Sequence, residues 1–123
     1  MSRALAQVES TKPGALLLTS NMSVAVKATV MDFIVTNRLP TITDLAWESE
    51  VQVRPLLTYG PDVRELMQSA VGSTVKILEG ERPGDIPIRQ PARFEMVVNL
   101  KTARAIGLTI PQSILLRADR WIE

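Results

Sequence analysis

Asn99 stands between two runs of opposite periodicity, and that junction narrows the fold more than any other feature of the chain. Before it, Phe94, Met96 and Val98 fall on one face of an extended segment, and Val97 adds a β-branched residue. After it, Leu100 to Ile106 has helical character, and Gly107 supplies the left-handed residue that ends a helix. An asparagine side-chain oxygen accepts a backbone N–H one turn on, so Asn99 is the expected N-cap. Thr109-Ile110-Pro111 then predicts a further short helix with Pro111 in its first turn. Strand, cap, helix, stop is the grammar of an α/β unit.

The same grammar appears nearer the start. Ser2 to Ser10 is mildly helical, with Ala4, Leu5 and Val8 at helical spacing, and Pro13-Gly14 marks a turn. Ala15 to Thr19 is a continuous apolar run, the pattern of a parallel-sheet strand buried on both faces. Val26, Val30, Phe33 and Ile34 make a helical stripe that runs out near Asn37 as its C-cap, and a strand is expected over Pro40 to Thr43. A helix between two such strands is a βαβ unit with a right-handed crossover. Val51 to Thr58 alternates but contains Pro55, which predicts an edge strand or a crossover segment. Asp62 to Glu79 is the clearest helix. Asp62 and Glu65 make a capping-box-like start, Gly80 follows the end, and Leu66, Met67, Ala70 and Val71 belong to one apolar face. Pro91 keeps the extended Ile86 to Gln90 out of a sheet interior.

Composition removes several functions. The chain has 123 residues, enough for one domain with a real core, and its 14 basic and 13 acidic residues leave a net charge of +1. That balance gives no electrostatic case for nucleic acid or an anionic membrane as partner. There is no histidine and no cysteine, so the usual general base near neutral pH and the thiolate and imidazole metal ligands are missing. No phosphate-cradling glycine loop is present, and Glu65, Glu79, Glu81 and Asp85 read as solvated charges rather than a carboxylate pair. No catalytic residue, metal site or cofactor is expected.

The segment IPIRQPARFEMVVNLKTARAIGLTIPQSILLRADRWIE, from Ile86 to Glu123, resembles the C-terminal end of the ABC-transporter substrate-binding protein family, some of whose members take up aromatic amino acids. LLTYGPD (Leu56 to Asp62) and ERPGDIP (Glu81 to Pro87) stand in the family's order. The resemblance runs from about Arg3 to the end and is stronger after Leu56. It implies a three-layer, doubly wound parallel α/β sheet belonging to a two-lobed periplasmic-binding-protein type I fold. Residues 1–123 then form a single α/β unit: 15–55 and 91–123 resemble the second lobe, and 56–90 a crossover and a first-lobe-like helix. The family is exported, with a periplasmic or extracytoplasmic location, and whole members are longer. The N-terminal segment MSRALAQVES lacks a signal peptide's apolar core.

Ser20, Asn21, Asp44 and Tyr59 are candidates for ligand contact, and Trp47 is weighed beside them. Ser20-Asn21 follows a strand and precedes a helix, where open α/β sheets bind ligands and free N–H groups favour a carboxylate; simple N-capping is the other reading. Family members have an acidic or amide residue followed by proline at this turn, and this chain has Ser20-Asn21-Met22. Asp44 follows the next strand at the same sheet end, as a partner for a ligand ammonium or as a surface turn. Trp47 is a stacking residue or a buried aromatic. Tyr59 and Gly60 match the family's crossover: Tyr59 lines the cleft or packs, and Gly60 absorbs hinge rotation. Family members carry a Gly-Gly-Leu-like run ahead of that segment, where this chain has Glu50-Val-Gln-Val-Arg-Pro55.

Two functions follow as expectations. The first is a non-enzymatic solute-binding component of an ABC importer, or its C-terminal fragment, taking an amino acid or similar small molecule and working with an ABC permease. The second is a truncated remnant that self-associates, with a homodimer covering apolar faces that a missing lobe leaves open.

Overall fold

The computed structural model describes residues 3–19, 24–44 and 55–123, with side chains of the second helix described from Thr29 onward. In chain order the elements are α1 (Arg3–Thr11), β1 (Leu16–Leu18), α2 (Val24–Thr36), β2 (Thr41–Thr43), β3 (Leu57–Pro61), α3 (Val63–Leu78), β4 (Phe94–Asn99), α4 (Leu100–Ile106), α5 (Gln112–Leu115) and β5 (Arg120–Ile122). Among the described residues the strands make one five-stranded sheet in the order β1-β2-β3-β4-β5. The pairs β1–β2, β2–β3 and β4–β5 are parallel, and β3–β4 is antiparallel. The architecture is a mixed α/β, mostly parallel sheet flanked by helices.

The core lies on one face of the sheet. Leu5 of α1 and Val30, Met31 and Ile34 of α2 are buried together, and Leu16 and Leu18 of β1 pack against them. Strand alternation puts Leu16 and Leu18 on that face and Leu17 on the other, where it is 70% exposed. The sequence expectation of a strand buried on both faces therefore holds on one face only, since no described residue covers Leu17. The α4 helix lies beside α2 and buries Thr102, Ala103 and Ile106. It joins β4 to the parallel β5, the second strand–helix–strand unit in the chain.

Local chemistry sets the helix ends. Asn99 is extended and its Oδ1 accepts from the Thr102 N–H at 3.0 Å, while Gly107 has φ 74 in the left-handed region, as the junction predicted. The end of α2 is a Schellman arrangement. The Leu39 N–H donates to the Ile34 carbonyl at 3.0 Å and the Arg38 N–H to Val35 at 3.2 Å. Asn37 is the cap residue, but the left-handed conformation falls one residue later, on Arg38 with φ 52. Pro111 does not enter α5. It is that helix's N-cap, with extended ψ 142.

The largest departure from expectation concerns Leu56 to Gly60. Thr58 is fully buried, and β3 pairs with β2 through Leu57 and Thr58 and with β4 along its whole length. An edge position inferred from Pro55 fails because Pro55 lies just before the strand, where its missing N–H breaks no ladder bond. Among the described residues, β3 pairs from Tyr59 onward with β4 alone. Tyr59–Pro61 and Phe94–Met96 thus leave the sheet as a two-stranded ribbon leading to α3.

Two substitutions test this partition. Ile34→Ala removes a fully buried core side chain and is expected to cost about 2–5 kcal/mol in denaturant unfolding. Leu17→Ala, on the uncovered face, is expected to stay within about 0.5 kcal/mol of the parent.

Candidate functional site at the carboxyl edge of the sheet

The three parallel strands β1, β2 and β3 reach the same edge. Register aligns Leu18 with Thr43 and Thr43 with Thr58, and Thr58 lies opposite Val97 of β4. One residue further on stand Thr19, Asp44 and Tyr59. Open α/β sheets bind ligands outside the carboxyl ends of their strands, because the connecting loops diverge there. Asp44 is half-buried at this edge. Ser20, Asn21 and Trp47 lie outside the described residues.

Tyr59 is half exposed and stacks on Phe94, with ring centroids 5.7 Å apart and planes inclined by 26°. The contact follows from register. Tyr59 lies opposite Met96, so Phe94 is its diagonal neighbour on the same face of the ribbon. Gly60 is buried, lies opposite Glu95, and has the ordinary extended backbone of a strand residue. The left-handed glycines are Gly80 and Gly107, so no positive φ requires glycine at position 60 here.

Beyond the edge, two carboxylates hold the ribbon. Asp119 Oδ2 accepts from the Met96 N–H at 2.8 Å, and the Asp119 N–H donates to the Met96 carbonyl at 2.9 Å. Glu95 Oε1 lies 3.4 Å from Arg120 Nε across β4 and β5. At the far end, Asp62 Oδ1 accepts from the Arg64 N–H at 2.9 Å and caps α3. Glu65 does not complete a capping box. Its two oxygens accept from the N–H groups of Ala92 at 3.4 Å and Arg93 at 3.0 Å, while the Asp62 N–H donates to the Arg93 carbonyl at 3.0 Å. Glu65 is therefore a tie between α3 and the returning chain, not the solvated charge that its helix position suggested.

The α3 helix forms where the sequence predicts it, but none of its residues is buried. Met67 is 64% and Leu78 81% exposed. Shallow grooves run between α3 and residues 86–92, lined by Gln68, Ser69 and Arg89. No group of three acidic, histidine or cysteine side chains that could hold a metal occurs among the described residues. No helix among them is long and apolar enough to cross a membrane.

Phe94, Thr43, Thr58 and Asp119 lie at or near this edge, and sequence reasoning did not name them as site candidates. The spacing of LTYGP and FEM carried no register, so nothing placed Phe94 beneath Tyr59. A threonine in a strand is explained by β-propensity alone.

With the sheet and its carboxyl edge described, comparison with known proteins gives the family. The ABC transporter substrate binding protein family model matches residues 1–122, and the chain belongs to that family. A crystal structure of an ABC domain from Streptococcus pneumonia in complex with L-Trp is similar at 26% identity and a TM-score of 0.78, covering 94% of this chain and 40% of that one. A conserved domain protein from Vibrio cholerae shares the fold at 21% identity, with a TM-score of 0.77 over 97% of this chain and 40% of its own. A ligand-free, open substrate-binding protein with adhesive properties from Clostridium difficile shares it at 20% identity and a TM-score of 0.62, over 98% and 39%. The chain thus spans about 40% of the length of these solved relatives. No curated protein matches it.

The Glu65 tie is open to test by amide hydrogen exchange. Glu65→Ala removes from Arg93 a carboxylate hydrogen bond that is exposed and so weakened by water, and protection of that amide is expected to fall about three- to tenfold. Glu65→Gln, which keeps one acceptor oxygen, is expected to lie between. Unchanged protection in Glu65→Ala would show that the bond contributes nothing.

Proposed function

We propose that this chain is a ligand-binding part of a solute-binding component of an ABC importer, and that the carboxyl edge of β1, β2 and β3 is its half of the ligand cleft. The observation that carries this reading is the joint placement of Asp44 and Tyr59 at one sheet edge in a member of the substrate-binding family. Asp44 supplies a carboxylate for a ligand ammonium. Tyr59, backed by Phe94, offers an aromatic surface for an apolar or aromatic side chain. Ser20 and Asn21, between β1 and α2 in the sequence, complete the ligand set as hydrogen-bond donors toward a ligand carboxylate. A ligand with an ammonium, a carboxylate and an apolar group is an amino acid, and L-Trp in the similar streptococcal structure supports that class. The function is binding rather than catalysis. An ABC permease is the partner, and the location is extracytoplasmic, as the family implies.

In this reading residues 15–55 and 91–123 belong to one lobe, and the ribbon of β3 and β4 carries 56–90 across toward the other. Gly60, in that ribbon, is the hinge position. The exposed apolar residues of α3 then face the other lobe. The same exposure favours a second reading, in which α3 meets its counterpart in a homodimer and the chain acts as a self-associating module without ligand. Light scattering separates the two: a stable monomer that binds an amino acid eliminates the self-associating module.

A thermal-shift series with the common amino acids tests the binding reading. Saturating ligand at about one hundred times its Kd stabilises the native state by about 2.7 kcal/mol, so a clear rise in Tm is expected for aromatic amino acids. Asp44→Ala is expected to weaken binding about ten- to a hundredfold, through loss of one charge-assisted hydrogen bond. Tyr59→Ala is expected to weaken aromatic ligands more than aliphatic ones. The absence of any shift across the series would refute the reading.

A further inference from the structure

Three threonines on the core face of β2 and β3 are buried, and they differ in how their hydroxyls are satisfied. Thr41 Oγ1 donates to the Leu39 carbonyl at 3.1 Å. Thr43 and Thr58 are 2% and 0% exposed, and neither Oγ1 has a hydrogen-bond partner. The two residues are direct cross-strand neighbours, with Leu18 and Val97 completing the row on either side. Thr43 ends β2, one residue before Asp44, and Thr58 precedes Tyr59. The pair therefore sits on the floor of the carboxyl edge.

A structural role does not account for both hydroxyls. A buried hydroxyl without a partner loses its hydration and gains nothing in return. Valine has the same branching and the same preference for strands, and would fill these positions without that penalty. Side by side, the two hydroxyls could also bond each other, and they do not. Both protons remain available, and one oxygen acceptor placed against the pair satisfies both. Neighbouring donors in an otherwise apolar row are how small-molecule sites fix the orientation of a ligand.

We infer that Thr43 and Thr58 are specificity-determining residues of the cleft, a two-point hydrogen-bonding subsite for an oxygen acceptor of the bound ligand, a carboxylate or carbonyl oxygen. The inference rests on the carboxyl edge being the ligand site and adds to it a residue pair that the sequence reading did not include. It makes two linked statements. In the free protein the hydroxyls are a net cost, and in the complex they are bonded.

The test uses Thr43→Val, Thr58→Val and the double variant, with Thr58→Ser as the variant that keeps a hydroxyl. Without ligand, each valine variant is expected to melt about 2–5 °C higher than the parent. With L-tryptophan as the probe, isothermal calorimetry is expected to show affinity reduced by about tenfold per valine. Thr58→Ser is expected to keep affinity within about twofold. A lower melting temperature in either valine variant overturns the inference, because it shows a structural partner in the free protein. Unchanged affinity in the double variant overturns it as well. If the parent chain binds neither L-tryptophan nor any other amino acid, the amino-acid reading fails. The hydroxyl assignment then stands or falls on the ligand-free melting alone, where a rise retains it and a fall removes it.

Discussion

The double pairing of β3 is the interaction on which the rest of the structure depends. Leu57 and Thr58 bond β2 on one side and β4 on the other, joining the β1–α2–β2 unit to the β4–α4–β5 unit. The Leu56 N–H donates to Thr41 and the Asn99 N–H to Leu56, both within 3.0 Å, so the two units are locked before the strand formally begins. Remove that strand and two short strand–helix–strand units remain, each with too few strands to stand alone. The proposed ligand edge depends on it too. The edge that holds Asp44, Tyr59 and the buried threonines exists because β3 runs parallel to β2.

The antiparallel turn from β3 to β4 then converts a sheet strand into an outgoing ribbon. Among the described residues, its inner half has neighbours on both sides, and its outer half has only its partner strand. Hydrogen bonds to side chains make up the difference: Asp119 on Met96, and Glu65 on Ala92 and Arg93. These bonds fix where α3 leaves the sheet while leaving its apolar residues exposed. A helix of 16 residues with none buried gains little from its surroundings, since most helical stability comes from packing one face. That is the physical sense in which this part of the chain calls for a second surface.

What was legible in the sequence was the chemistry that acts over four or five residues. Asn99 and Gly107 announced α4 at both ends because a cap needs only its own turn. Asp62 did the same for α3. Pairing was not legible. Pro55 suggested an edge, although the strand it seemed to demote starts two residues later and lies in the middle of the sheet. Three-residue β5 left no periodicity to detect. Glu65 looked like half of a capping box because its long-range donors, 27 and 28 residues away, leave no trace in local spacing. The site divides in the same way. Asp44 and Tyr59 could be named from their order along the chain, whereas Phe94, Thr43 and Thr58 became visible only once register set them beside those residues.

The central claim is that the carboxyl edge of β1, β2 and β3, not the grooves along α3, is where this chain meets its ligand. Amide chemical-shift mapping during titration with L-tryptophan tests it most directly. The account predicts shifts concentrated at Thr43, Asp44 and Thr58 to Gly60. Shifts confined to Gln68, Ser69 and Arg89, with the carboxyl edge unmoved, would contradict it.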